Sequence, residues 1–436
     1  MKDCLSVDDN KSKKNILIVG GGFVGLTLAA KLLKSKENYA TVLETNLEKV
    51  NNFHVKNYGI FEPELDNILN ESIDEDMLKF VHKLDETKFD LVFICINTNK
   101  KELNRIDKQL VLINSLVKNL VKSGQIYLRS TVPVGSTANI NKALKSSSRN
   151  DLKIFYAPER TAEGVALKEL DLLPQIIGCP EFEDIKIGVR MLNSLGFTVI
   201  ETSNSESAEF LKLMCNVWRD STFAISNEFA IFAESLNLDI FEIIEKANFS
   251  YLRSSIPKPG PVGGPCLSKD TYIFLESLNQ NLTENSIILK SRKQNEKLIE
   301  IAFDVISAYL NDYPSSNRIC FLGAAFKGSP RTNDFRSSFT QELIHMLTGE
   351  NLKIKVWDPT LISVDLFEYS KLFAKDLNFK EYDVVVIGNN ASFMFDKGVL
   401  DFLRNLPPSA LIIDMWGVLR QSEDFNASIY RFGMKA

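Results

Sequence analysis

Asn15-Ile-Leu-Ile-Val19-Gly20-Gly21-Gly22-Phe23-Val24-Gly25 is the stretch that decides the fold. Its first five residues form a short apolar run, the length of a strand buried on both faces of a parallel sheet. Gly20, Gly22 and Gly25 satisfy GxGxxG around Phe23 and Val24, and Leu26, Ala29, Ala30, Leu32 and Leu33 continue at helical spacing. In that strand–turn–helix context the glycines give a tight turn, close approach to a pyrophosphate and close helix–strand packing. A second strand, Ala40 to Leu43, ends at Glu44, nineteen residues beyond Gly25. A carboxylate there accepts hydrogen bonds from both ribose hydroxyls and repels a 2′-phosphate. The expectation is a dinucleotide-binding domain that takes NAD rather than NADP.

Two more strands open into loops. Phe89 to Ile96 leads to Asn97-Thr98-Asn99, and Gln125 to Leu128 leads to Arg129-Ser-Thr131-Val-Pro-Val-Gly-Ser136. Such loops line the ligand crevice of a parallel sheet, so Thr98 and Thr131 are candidate cofactor contacts; capping a helix is the alternative for each. A strand from Leu152 to Tyr156 precedes Ala157-Pro-Glu159-Arg-Thr-Ala-Glu163-Gly164. Glu159 and Glu163 lie four apart, close in space if the turn is helical, and paired carboxylates raise one another's pKa. Acid–base chemistry and ordinary surface acidity are both open to them.

From about Ser205 the period is helical for roughly a hundred residues. Lys212, Asn216 and Arg219 fall on one stripe, a set suited to an anionic ligand or a developing oxyanion. The stretch Pro257-Lys-Pro-Gly-Pro-Val-Gly263-Gly264-Pro-Cys266-Leu-Ser-Lys269-Asp270 reads as a shaped loop rather than a helix. A thiol acts as a nucleophile as thiolate, and a nearby ammonium favours that form. A turn holding an inert cysteine is the plain alternative.

After Ser316 the α/β pattern returns. Arg318 to Leu322, Lys355 to Asp358, Asp383 to Ile387 and Leu411 to Asp414 read as strands, with a helix from Thr340 to Leu347. The first turn, Gly323-Ala-Ala-Phe-Lys327-Gly328, lacks GxGxxG, so no second dinucleotide is expected. Lys327 and Arg336 sit where such a sheet binds ligands and could clamp a diphosphate; surface basic residues are equally ordinary. The fold expected is α/β, two Rossmann-like doubly wound parallel-sheet domains joined by a long central helical region. The expected domains are 1–204, 205–312 and 313–436, and the helical part is long enough to make a dimer interface.

Composition narrows the function. With 436 residues, net charge −5 and pI near 5.6, the chain does not suit a general nucleic-acid or membrane-surface binder. No apolar run reaches the about 18 residues that span a bilayer. Met1 to Lys14 lacks an apolar core, so no secretory signal is expected there, and the location expected is cytoplasmic. The six cysteines, at 4, 95, 179, 215, 266 and 320, form no CxxC pair and read as reduced thiols. His54, His82 and His345 are far apart, so no metal site is expected and chemistry falls to Lys, Glu, Asp and Cys.

Together these stretches resemble the UDP-glucose/GDP-mannose dehydrogenase family over nearly the whole chain. Gly20–Gly25 with Glu44, Glu62-Pro63-x-Leu65, Ser130-Thr-Val-Pro-Val-Gly135, Pro158-Glu159 with Glu163-Gly164, and Ala208-Glu209-x-x-Lys212-x-x-x-Asn216 match in order. Gly263-Gly264-x-Cys266-x-x-Lys269-Asp270 and Phe326-Lys327 with Asp334-x-Arg336 follow. The resemblance implies four-electron oxidation of a sugar nucleotide's C6 alcohol to a carboxylate with two NAD⁺. Cys266 would add to the aldehyde, and loss of a second hydride would give a thioester for water to cleave. By the same resemblance Lys212 and Asn216 stabilise oxyanions, while Asp270 and Thr131 position water and Glu163 assists its activation. Glu159 supports the Lys212 and water network, and Lys269 lies with the cofactor residues. Arg219, Gly263, Lys327 and Arg336 contact substrate, and Arg253 reaches the site of a neighbouring subunit in a homodimer.

The departures are Thr98-Asn99 for the usual Thr-Pro, Pro265 before the cysteine, and a loop after Lys327 about two residues longer than common. Asn216-Val-Trp-Arg219-Asp220 with Asn227-Glu228, and Pro-Gly-Pro at 259–261, are more similar to members acting on UDP-N-acetylhexosamines. Lys269 is the glucose-type residue. The favoured substrate is a UDP-N-acetylhexosamine of the mannosamine kind, with UDP-glucose second. A two-electron hydroxy-acid dehydrogenase would explain the glycines, Lys212 and Asn216 but give Cys266 no role; an idle scaffold would not need the set at all.

Overall fold

Ile16, Leu17, Ile18 and Val19 are buried on both sides of strand β1 (Lys14–Val19), as an uninterrupted apolar run requires in the middle of a parallel sheet. The computed structural model describes residues 13–97, 105–348, 351–361, 367–374, 382–419 and 424–434; the side chains of 105–108 and 367–368 are outside that description. The chain forms two compact units. The first takes Met1–Tyr58, Glu62–Thr161 and Val165–Glu209; the second takes Gly59–Phe61, Ala162–Gly164 and Phe210–Ala436.

In the first unit β1 is joined by β2 (Asn38–Leu43), β3 (Leu78–Val81), β4 (Phe89–Ile94), β5 (Leu120–Leu128) and β6 (Lys153–Tyr156). All pairs are parallel, in the order β3-β2-β1-β4-β5-β6. That is the doubly wound order of a dinucleotide-binding sheet, whose chain reverses direction between β1 and β4. Phe93, Tyr127 and Phe155 stack across β4, β5 and β6, with ring centroids 4.9 and 5.2 Å apart. A short parallel pair, β7 (Gln175–Ile177) with β8 (Val199–Glu201), completes the unit's strands among the described residues. Glu209 accepts from Gly135 N at 2.6 Å, Thr137 N at 2.8 Å and Thr137 Oγ1 at 2.6 Å, capping the helix Ser136–Lys145.

The second unit holds β9 (Arg318–Leu322), β10 (Lys353–Trp357), β11 (Val384–Ile387), β12 (Leu411–Asp414) and β13 (Ser428–Arg431), parallel in the order β10-β9-β11-β12-β13. Alternate residues of β9 face opposite sides, as a strand dictates. Ile319 and Phe321 share a core with Ala230, Ile244, Leu298 and Ala302 of the helices, while Cys320 and Leu322 pack with Val399 and Leu403. The helices that precede this sheet in sequence are Ser205–Ser235, Ile240–Asn248, Leu267–Glu276, Gln280–Thr283 and Ile287–Asp312, and Phe339–Leu347 and Lys397–Arg404 lie among its strands in sequence. The hundred-residue helical stretch is therefore interrupted, between 249 and 266, by the Pro/Gly loop.

The expected α/β architecture is present, with two parallel sheets and a helical region between them in sequence. Four strands went unread: β3, β7 and β8 are only three or four residues long, and β13 is an edge strand with only partly buried or exposed side chains. None has the long apolar run that marks a central strand. Among the described residues no helix is long and apolar enough to cross a membrane.

Candidate active site

The glycine turn of the first unit has the shape its sequence requires. Gly20 follows β1 at φ +109°, and a Cβ there would lie 2.6 Å from Cys95 O. A Cβ on Gly25 would lie 1.9 Å from Gly20 O, so only glycine lets the helix Phe23–Leu33 sit this close to the strand. At Gly22 the Cβ direction is open, with no atom within 4 Å. Glu44 stands at the rim of this turn. Its Oε2 accepts from Gly21 N at 3.2 Å and its Oε1 from Asn46 N at 2.9 Å. The closed packing at Gly20 and Gly25, the open side at Gly22 and the carboxylate at the strand end fit an NAD-type cofactor.

The equivalent turn of the second unit is closed by its own chain. Asp358, fully buried at the end of β10, accepts from Ala324 N at 2.7 Å and Ala325 N at 3.0 Å. A cleft of about 300 Å³ opens instead at the carboxyl ends of these strands, lined by Lys327, Arg331, Thr332, Thr360, Asn389 and Asp396 among others.

Three distant stretches of sequence meet inside the second unit. Cys266 is the N-cap of the helix Leu267–Glu276, so residues 267–270 belong to a helical turn and the loop is shorter than the sequence suggested. Asp270 is buried on that turn. Its Oδ2 accepts from Asn216 Nδ2 at 2.6 Å, and its Oδ1 lies 3.3 Å from Lys269 Nζ. Lys212, one helical turn before Asn216, is buried, and its charge opposes the rise in the Cys266 pKa. An ammonium so placed favours an anionic or oxyanionic neighbour.

Cys266 is open to solvent at its surface, but its sulfur is closely surrounded by protein. Burial pushes its pKa up, with Asp270 and Glu163 adding to the rise and Lys212 and Lys269 opposing it. The two ammonium groups favour the thiolate, as expected of a nearby lysine, but desolvation and the nearby carboxylates outweigh them. The loop before it is fixed by contacts that only glycine permits. A Cβ on Gly263 would lie 2.3 Å from Ser337 O; Gly264, at φ +90°, donates its N–H to that oxygen at 2.9 Å. Gly264 also lies against the Phe326 ring.

Glu163 joins the same unit. Its Oε2 accepts from Thr332 Oγ1 at 2.6 Å, its backbone carbonyl accepts from Lys327 Nζ at 2.9 Å, and Arg336 lies 3.9 Å from its Oε1. Burial first, then the Asp334 carboxylate, raise its pKa to about 7; Thr332, Arg336 and Lys327 hold it from going higher. Arg336 itself grips Asp334 through Nε at 2.9 and 3.0 Å.

The expected partnership of Glu159 with Glu163 is not what raises the latter. Residues 157–163 contain no helix, and Asp334 is the carboxylate that acts on Glu163. Glu159, in the first unit, is buried and pairs with Arg129; its Oε1 accepts from Arg160 N at 2.8 Å and Thr161 N at 2.9 Å. Arg129 also donates to Gln175 Oε1 at 2.8 Å. Thr131 is half-buried just past β5, and Thr98 lies outside the described residues. Along the stripe of Lys212, Asn216 and Arg219 the burial falls, from buried Lys212 through half-buried Asn216 to exposed Arg219, whose neighbour Asp220 is buried. Arg253 lies on an exposed turn with its guanidinium 5.0 Å from the Tyr251 ring centroid.

Thr332, Arg129, Arg292 and Asn295 were not singled out from sequence. Arg292 and Asn295 lie within a long helix with nothing local to mark them; Thr332 and Arg129 stand beside recognised motifs, and only their neighbours' charges could have drawn notice.

Similarity to known proteins agrees with this geometry. The pattern for the "UDP-glucose/GDP-mannose dehydrogenase family, NAD binding domain" matches residues 14–195, and that for the family's central domain matches 206–297. A UDP-N-acetyl-D-mannosamine dehydrogenase of Methanococcus vannielii is 28% identical over 421 residues, covering 94% of each chain. A UDP-glucose 6-dehydrogenase of Rickettsia prowazekii is 27% identical, over 93% of this chain and 95% of its own. The solved UDP-D-ManNAc dehydrogenase of Pyrococcus horikoshii shares the fold, with a TM-score of 0.80 at 24% identity over 96% of this chain and 99% of that one. With the two patterns together spanning more than half of its length, the chain belongs to the UDP-glucose/GDP-mannose dehydrogenase family and is an NAD-dependent nucleotide-sugar dehydrogenase.

Proposed function

We propose that the protein oxidises the C6 hydroxyl of a UDP-N-acetylhexosamine, of the mannosamine kind, to the uronate through a covalent Cys266 intermediate. The observation that carries this reading is the cluster of Cys266, Asp270, Asn216, Lys269 and Lys212 in one unit. The names of the relatives support the substrate class, and Lys269 keeps UDP-glucose as the second reading. NAD⁺, held by Gly20, Gly22, Phe23, Val24, Gly25 and Glu44 with Thr98, Thr131 and Lys269 beside it, supplies the hydride acceptor for both oxidations.

The residues divide the remaining work. Oxidation of the alcohol leaves an aldehyde, which becomes a hydride donor only after a nucleophile adds to its carbonyl carbon. Cys266 Sγ forms that bond as its proton leaves, giving a thiohemiacetal; loss of hydride gives a thioester, and water then cleaves the C–S bond to return the thiol and release carboxylate. Lys212 and Asn216 balance the negative oxygen that develops at each addition. Asp270 and Thr131 orient the water, Glu163 takes its proton, and Glu159, anchored by Arg129, supports their arrangement. Gly263, Lys327, Arg336 and Arg219 contact the nucleotide sugar, and Arg253 acts across a homodimer formed through the central helices. The division into domains 1–204, 205–312 and 313–436 and a cytoplasmic location belong to the same proposal.

Incubation with NAD⁺ and a panel of UDP-sugars tests it. Two NADH per sugar with no trappable aldehyde is the expected result, fastest with UDP-N-acetylmannosamine. One NADH per substrate would point to a two-electron hydroxy-acid dehydrogenase, and preference for UDP-glucose to the second reading. Cys266→Ser should stop carboxylate release after the first oxidation or leave a stable ester. Normal carboxylate output from that variant removes the nucleophile.

A further inference from the structure

A buried ion pair behind the Cys266 loop has no part in the chemistry above. Arg292, on the helix Ile287–Asp312, is almost fully buried. Its NH1 donates to Asp220 Oδ1 at 2.8 Å and to Leu267 O at 3.1 Å, and its NH2 donates to Val262 O at 3.1 Å. The two carbonyls bracket Cys266. Asp220 is buried too: its Oδ1 also accepts from Asn295 Nδ2 at 2.8 Å and its Oδ2 from Thr271 Oγ1 at 3.1 Å. Asn295 Oδ1 accepts from Asn227 Nδ2 at 2.9 Å, and Asn227 clasps Gly260 by both its N–H at 2.8 Å and its carbonyl at 3.1 Å.

We propose that the Arg292–Asp220 pair, with Asn295 and Asn227, is the positioning device that holds the Cys266 loop in register with Lys212 and Asn216. A Pro/Gly loop has few partners of its own for its carbonyls, and a buried carbonyl left unpaired is costly. One guanidinium satisfies the loop carbonyl of Val262 and ties it to the first carbonyl of the helix after Cys266, Leu267 O, while its charge is met by Asp220, so the loop's path is set by a planar, rigid group. Asp220 stands on the helix that also carries Lys212 and Asn216. The network therefore references the nucleophile to the groups proposed to stabilise its oxyanion. A lysine at 292 retains a charge for Asp220 but lacks the planar fork that reaches both carbonyls at once.

The inference rests on reading Cys266 as the nucleophile, and the test separates the two. Arg292→Lys and Asp220→Asn are compared with the parent protein in two assays. The first is the rate and pH profile of Cys266 alkylation by iodoacetamide, followed by mass spectrometry without substrate. The second is single-turnover NADH formation with the preferred UDP-sugar. A changed alkylation profile, and a second hydride step slowed about 10²-fold, the loss that a misplacement near 1 Å brings, are expected, with the first step within twofold. Equal slowing of both steps, or unchanged alkylation and unchanged second step in folded variants, overturns the positioning role. If Arg292→Lys does not fold, Asp220→Asn decides alone by the same readouts. A changed alkylation profile in an enzyme whose parent yields one NADH per substrate would keep the positioning role and remove the nucleophile reading.

Discussion

Glu163 shows how one side chain's surroundings set its chemistry. Burial and the Asp334 carboxylate bring its pKa to about 7, against 4.5 for an ordinary glutamate. Such a group is half ionised near neutrality, where a base for water is most effective. Carboxylate release should therefore rise through about pH 7, and Glu163→Gln should abolish that limb while a thioester accumulates, as read by quench and mass spectrometry. The same shift has a sign for stability. Between the unfolded and folded pKa values the folded chain holds the proton more tightly, so stability is greatest below the unfolded value and is lost as pH rises through 7. Glu163→Gln should thus raise Tm at pH 8 and change it little at pH 4. The upper bound on the gain is about 3 kcal/mol, from 1.36 kcal/mol per pKa unit.

At the scale of the element, the glycine turn and the helix after it act together. The helix Phe23–Leu33 begins at Gly22, whose Cβ direction is open and which offers no side-chain cap, and a pyrophosphate gains most from a helix N-terminus left so. That alignment depends on Gly25, because a Cβ there would meet Gly20 O at 1.9 Å and force helix and strand apart. Gly25→Ala should weaken NAD⁺ binding by about tenfold or more, the effect of losing 1.4 kcal/mol of aligned contacts. Equilibrium dialysis or calorimetry measures it. The second sheet shows the contrast: Asp358 takes the amides of Ala324 and Ala325 for itself, so that turn has no free donors for a second pyrophosphate.

For the whole molecule the long helix is the telling feature. Phe210, Met214, Trp218, Ile225, Phe229 and Phe232 follow one another at steps of three, four and seven on Ser205–Ser235, and all are exposed. Apolar stripes of that extent are unusual on the free surface of a monomer. The proposed homodimer covers them. Trp218→Glu with Phe229→Glu should shift the mass from dimer to monomer in light scattering, while the first unit still binds NAD⁺. A dimer that survives both changes places the interface elsewhere.

The sequence by itself determined the architecture and the family. Apolar runs such as Ile16–Val19 and Cys320–Leu322 need two-sided burial, and a parallel sheet is the arrangement that gives it. The glycines of the first turn and the loop before Cys266 were legible because only one residue type tolerates such close approach or positive φ. Lys212, Asn216, Cys266 and Asp270 could be selected as candidates because their types and spacing carry chemistry. What those groups do to one another was decided by the tertiary structure. Electrostatics depends on distance and burial, so no spacing along the chain could reveal that Asp334 rather than Glu159 acts on Glu163, or that desolvation pushes the Cys266 pKa up. Arg292 was unreadable for the same reason: its partners lie 25, 30 and 72 residues away, and only folding brings them to one guanidinium.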